Sequence, residues 1–129
     1  MSIKVGAGKF TTVTEPFGSG TLIGQHPDEY IRIFTVDPVF DKDGTAHIHG
    51  LYGSVVGALK NSPQVTIIWQ PRVDHGWTLI YDGVVNADSP RLQEGAGDDD
   101  ELVISYLSGM LHRPSAHRDG PEWSWPDEA

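Results

Sequence analysis

The sequence predicts a mainly β domain, a small β-barrel of about six or seven strands with one or two short helices. Three observations predict it. Residues 63–83, PQVTIIWQPRVDHGWTLIYDG, read as two strands and a connection, with Val65, Ile67 and Trp69 on one face and Thr66, Ile68 and Gln70 on the other. The chain carries 15 Gly and 9 Pro among 129 residues, which favours many short strands over long helices. The best helix candidate, residues 51–62, is short and weakened by Gly57. A barrel also removes the exposed edges that a strand-rich chain must manage.

Taken in order, residues 1–28 are weakly patterned. Phe10–Thr14 (FTTVT) reads as a strand stopped by Glu15-Pro16, and Gly18-Ser19-Gly20 as a turn before a short strand at Thr21–Ile23. Tyr30–Val36 is a strand in which Ile31 and Ile33 alternate with Arg32 and Phe34. Asp41-Lys42-Asp43-Gly44 is a hairpin turn, Gly44 supplying positive φ, and Thr45–His49 is the return strand. In 51–62, Ser54 serves as N-cap, Val55, Ala58 and Leu59 share a face, and Pro63 ends the helix. The central hairpin follows, its return strand running from Trp77 to Tyr81 into a turn pair, Asp82-Gly83, with Val84-Val85 as a possible extension. Residues 88–101 form a polar loop, Leu102–Leu107 a last strand, and 115–129 a tail with Trp123 and Trp125. The whole chain is one domain.

Net charge is −9, which argues against a nucleic-acid backbone as partner. The run Asp98–Glu101 reads as solvated surface. The absence of cysteine excludes disulfides, thiolate nucleophiles and Cys-ligated zinc. MSIKVGAGKF has no apolar core of a signal peptide and no stretch suits a membrane span, so a cytoplasmic protein without membrane contact is expected.

Several residues carry candidate chemistry. His47 and His49 lie two apart on a strand and so share a face. They suit hydrogen bonding in a barrel wall, or acid–base work by His49. A metal, with His75, His112 or His117 as third ligand, is the lesser reading, since the Glu that should follow such a pair within a few residues is missing, and no metal site is assigned. Trp69 and Trp77 flank the hairpin connection and can stack on a flat ligand or pack in a core. Arg113 can meet a phosphate or carboxylate through two parallel N–H bonds, or pair with the acidic loop.

As an ordered set, NSPQVTIIWQP, GWTLIYDG and ELVISYLSGMLHRP resemble the small actinobacterial branch of the pyridoxamine 5′-phosphate oxidase-like proteins. The matching positions are Gly50, Pro63, Val65-Thr66, Trp69, Pro71, Leu79-Ile80, Asp82-Gly83 and Leu111-His112-Arg113-Pro114. The resemblance covers residues 30–117; the first 28 residues lack the family's opening helix. It implies a split β-barrel, a homodimer, and FMN or a deazaflavin in a groove between subunits, where a small molecule is oxidised or reduced. The implied cofactor-binding positions are Tyr52, Gly53, Ser54, Trp69, Thr78, His112 and Arg113. The family commonly places Arg near Gly53, Ser54 and Val56, whereas only Ser54 and the helix start remain here to receive a phosphate. Either Arg32, Lys60, Arg72 or Arg113 supplies the charge from elsewhere, or FMN binds weakly, or the chain has left flavin chemistry. The expected function is therefore an FMN-dependent oxidoreductase. The alternative is a cofactor-free barrel that binds, or acts by acid–base chemistry on, a small apolar or aromatic ligand near Tyr52, Trp69 and His49.

Overall fold

The computed structural model describes residues 1–25, 30–50, 59, 63–86 and 101–128. The expected helix at 51–62 and the loop at 88–100 lie outside the described residues, apart from Leu59, which is helical and buried. Among the described residues, eight strands form one antiparallel sheet: β1 Ser2–Lys4, β2 Gly20–Gln25, β3 Ile31–Val36, β4 Val39–Phe40, β5 Ala46–His49, β6 Gln64–Trp69, β7 Thr78–Val85 and β8 Glu101–His112. Two of them, β1 and β4, are too short to show an alternation in sequence, and they raise the count above the expected six or seven.

The strand order is β3-β2-β6-β7-β8-β5-β4, and β1 pairs with β8 beyond β5. Its two ends, β3 and β4, are neighbours in the chain, joined only by Asp37-Pro38. The sheet must therefore curl until its ends approach, and Pro38 has no N–H to continue a ladder there. The sheet's other discontinuity lies along β8. One edge of that strand pairs with β7, while the other is shared by β5 at Glu101–Ile104 and β1 at Met110–His112. Between those segments the Tyr106 hydroxyl donates to the Val5 carbonyl at 2.8 Å, and the Val5 N–H donates to Gly109 at 2.9 Å. Main-chain groups in the gap are thus paired by other means.

Period-two alternation sorts the central strands into two sides. Leu22, Val65, Ile67, Trp69, Leu79 and Tyr81 point into the curl and are buried. A short helix, α1 (Phe10–Val13), plugs the interior. This replaces the strand expected at Phe10–Thr14. Phe10 and Val13 are both fully buried at i, i+3 spacing, and the Thr11 and Thr12 hydroxyls donate to the Gly8 and Lys9 carbonyls. Tertiary burial overrides the β preference of two threonines and a valine. Phe10 meets Tyr81 edge-to-face at 5.0 Å and Phe40 at 5.2 Å, contacts that stabilise by about 1 kcal/mol each beyond burial.

Asp82-Gly83 is the second correction. It does not turn the chain; β7 continues to Val85 through a bulge between these residues. A Cβ on Gly83 would lie 2.4 Å from Ile104 Cγ2 and 2.7 Å from the Ser105 carbonyl, so glycine is required by close approach of β8. The turn at Asp41–Gly44 forms as expected, with Gly44 at φ 84° and its N–H bonded to the Asp41 carbonyl at 3.0 Å.

Candidate functional site

The side of the sheet turned away from the core is built from the alternate residues of β2, β3, β6, β7 and β8. In register, Ile33, Ile23, Thr66, Asp82 and Ser108 form one row across it, and Thr35, Thr21, Ile68, Ile80 and Met110 the next. Ile31, Ile33 and Leu107 are 66%, 65% and 56% exposed, so this side carries a broad apolar surface in water. A groove of about 540 Å³ runs over it, with Ile23, Ile31 and Leu107 as walls and Thr66 and Asp82 in its floor. Asp82 accepts hydrogen bonds from the Thr66 hydroxyl at 2.6 Å and the Ser108 hydroxyl at 3.1 Å, so both carboxylate oxygens are oriented.

At one end of this side, Thr78 and His112 are direct cross-strand partners. His112 Nδ1 lies 3.2 Å from the Ser2 hydroxyl, and both are exposed. At the other end sit His47 and His49 on β5, opposite Val103 and Glu101. The His47 ring bridges two carboxylates, with Glu101 at Nδ1 and Asp41 at Nε2, 2.6 Å away. These hydrogen bonds raise its pKa above the ordinary histidine value, Glu101 contributing most. A ring bonded to acceptors through both nitrogens must be the imidazolium. The two carboxylates approach from opposite sides of the ring, so they do not converge on one point. His49 is more open and only 3.8 Å from Glu101 Oε2.

Comparison with known proteins gives a fold and no closer assignment. No family model matches the sequence, and no curated protein matches it significantly. Among solved structures, a pyridoxamine 5′-phosphate oxidase-like protein from Corynebacterium glutamicum is similar at TM-score 0.56 and 15% identity, covering 87% of this chain and 98% of that one. An F420 reductase is similar at TM-score 0.52 and 16% identity, over 75% and 90% of the two chains. General stress protein 26 from Bacillus anthracis gives 0.51 and 15%, over 79% and 88%. The chain folds as a split barrel.

The split barrel distributes the expected site residues unevenly. Thr78 and His112 are brought together on the outer side of the sheet. Tyr52, Gly53 and Ser54 lie outside the described residues. Trp69 is 2% exposed and packs in the core against Phe10 and Phe40, on the opposite side of the sheet from His49. Arg113 follows His112 but turns the other way: it is 4% exposed, stacks on Trp77 at 4.2 Å, and donates through Nη1 to the carbonyls of Pro121 and His75 at 2.7 and 3.3 Å. The acidic loop expected as its other partner lies outside the described residues, apart from Glu101, which pairs with His47. The Thr66–Asp82–Ser108 row escapes a sequence reading because Asp82 looks like a turn residue. Carrying β7 on to Val85 and pairing it with β6 would have placed Asp82 beside Thr66.

Among the described residues of the split barrel, no helix is long and apolar enough to cross a membrane.

Proposed function

We propose that this split barrel is an oxidoreductase of the flavin type that works as a homodimer, with FMN or a deazaflavin held against the outer side of the sheet. The observation that carries the reading is the exposed apolar side itself, grooved and edged by hydroxyls, on a fold shared with an F420 reductase and a pyridoxamine 5′-phosphate oxidase-like protein. A second copy packed over that side would remove Ile31, Ile33 and Leu107 from water and convert the groove into a shared cavity.

The residues fit one part of such a cofactor better than another. Ile23, Ile31 and Leu107 suit a flat ring system, and the hydroxyls of Thr66, Thr78 and Ser108 suit a polyhydroxylated chain. The groove's floor holds a carboxylate, and among the described residues its lining includes neither Lys nor Arg, so this part of it repels a phosphate. The phosphate end would fall to Ser54 and its neighbours, as the family resemblance implies. When bound, the cofactor supplies hydride transfer; the chain's own part is to hold the ring, orient the substrate and exclude water. His112, exposed and hydrogen-bonded to Ser2, is the group best placed to exchange a proton with a substrate at that end.

The test is a titration of the purified protein with FMN and, separately, with a deazaflavin, followed by quenching of cofactor fluorescence. Saturable quenching by either cofactor, weakened by Thr78→Val, supports the reading. Flat titrations with both cofactors would remove flavin chemistry and leave a cofactor-free split barrel.

A further inference from the structure

A second concave site lies away from the sheet's outer side, where the C-terminal tail crosses the β6–β7 connection. It is a cleft of about 250 Å³ whose apolar walls include Phe17, Pro71, Trp77 and Trp123, with Arg72 and Glu122 as the charged residues of its lining, a size suited to a single-ring molecule. Phe17 and Trp123 stack at 6.0 Å. The tail is held down by its Pro121 carbonyl, which accepts from Trp77 Nε1 at 3.1 Å and from Arg113 Nη1 at 2.7 Å.

Two features of this place are chemically incomplete. Arg113 is a buried cation with no carboxylate partner among the described residues, and the two neutral carbonyls that it meets do not offset its charge. Among the described residues, two buried side-chain donors have no acceptor, Arg113 Nε and Trp123 Nε1. Both belong here: Trp123 lines the cleft, and Arg113 stacks on Trp77, which also lines it. Buried donors are rarely left unpaired, and each such loss is costly. An anion with several lone pairs would complete both, and a planar one suits the guanidinium best.

We propose that this cleft binds a small aromatic carboxylate. Its ring lies among Trp77, Phe17 and Trp123, and its carboxylate accepts from Arg113 Nε and Trp123 Nε1. Both N–H groups lie beneath the cleft's surface, so the carboxylate reaches them only as the Trp123 and Arg113 side chains turn toward it, with the Pro121 carbonyl still holding the tail. The site is independent of any cofactor on the sheet's outer side.

Benzoate, benzamide and inorganic phosphate are the probes, applied to the full-length ¹⁵N-labelled protein. The four tryptophans report separately through their indole N–H resonances, assigned by single Trp→Phe variants. Benzoate should move the Trp77 and Trp123 resonances saturably, with Trp123 shifting downfield as its N–H gains an acceptor, while buried Trp69 stays in place. Benzamide should bind about tenfold more weakly, as expected for loss of a charge-assisted bond. Phosphate alone should leave the indoles unmoved. Trp123→Phe loses a donor that has no partner and keeps a ring against Phe17, so it should still fold cooperatively, with a Tm lowered only by the lost packing, yet bind benzoate about tenfold more weakly. No response to benzoate, an equal response to benzamide or phosphate, or unchanged affinity in Trp123→Phe would each overturn the assignment.

Discussion

At the scale of single residues, His47 and Tyr81 tie stability to pH, and in the same direction. The hydrogen bonds from His47 to Glu101 and Asp41 require its protonated form, and its folded-state pKa lies above 6.5. A raised histidine pKa contributes stability that is full below the unfolded value and is lost as pH rises through the folded one. His47→Gln should therefore lower Tm clearly at mildly acidic pH, by an amount equivalent to about 1 kcal/mol, and the difference from wild type should shrink as pH rises. A difference that is constant with pH would contradict this. Tyr81 is fully buried, and its one hydroxyl hydrogen is directed chiefly to the Gly44 carbonyl at 2.7 Å, with Ile104 at 3.2 Å as a longer contact. Burial raises its pKa well above the ordinary phenol value of 10. The folded state thus keeps a proton that the unfolded chain gives up, and stability falls as pH rises past that ordinary value. Tyr81→Phe should cost about 1–3 kcal/mol in urea denaturation at neutral pH, since it orphans a buried carbonyl. It should also blunt the alkaline loss.

Among the elements, β7 and β8 have the tightest tolerances. Gly83 faces Ile104 and Ser105, and a Cβ on Gly109 would lie 2.6 Å from Phe10 Cε2 and from the Val5 carbonyl. Gly83→Ala and Gly109→Ala should each destabilise by about 1–3 kcal/mol through overpacking. Gly6→Ala, with nothing within 4 Å of its new methyl, should shift the urea midpoint little. The same glycines explain what the sequence hides. Alternation reveals β2, β3, β5, β6 and most of β7, because each has one wet and one dry side. Ser108-Gly109 reads as a break, yet β8 runs through it to His112 because Phe10 takes the space of the missing side chain. The Phe10–Val13 helix is hidden for a related reason, as its cause is a pocket among Phe40, Tyr81 and Tyr106 that only the assembled sheet creates. Of the expected site, the Thr78–His112 pairing follows from antiparallel strands. The stacking of Arg113 on Trp77 and its bond to Pro121 join distant stretches with no local pattern to announce them.

For the whole molecule, the curled sheet leaves one side of its strands dry and the other apolar but wet. Ile33→Asp on that open side breaks no core contact, since Ile33 is 65% exposed. In the proposed dimer it should shift the protein to a monomer in light scattering, with cooperative unfolding kept, a Tm lower by the lost association and no longer dependent on protein concentration, and its cofactor binding lost. The tail is fastened by Lys9 to Asp127 at 3.1 Å and by Phe17 to Trp123, so it belongs to the folded unit. Size-exclusion chromatography with in-line light scattering and absorbance, after incubation with FMN or a deazaflavin, tests the central claim most directly. The account predicts one particle of twice 14.1 kDa that carries the cofactor's absorbance in proportion to its subunits. A colourless monomer with both cofactors would contradict it.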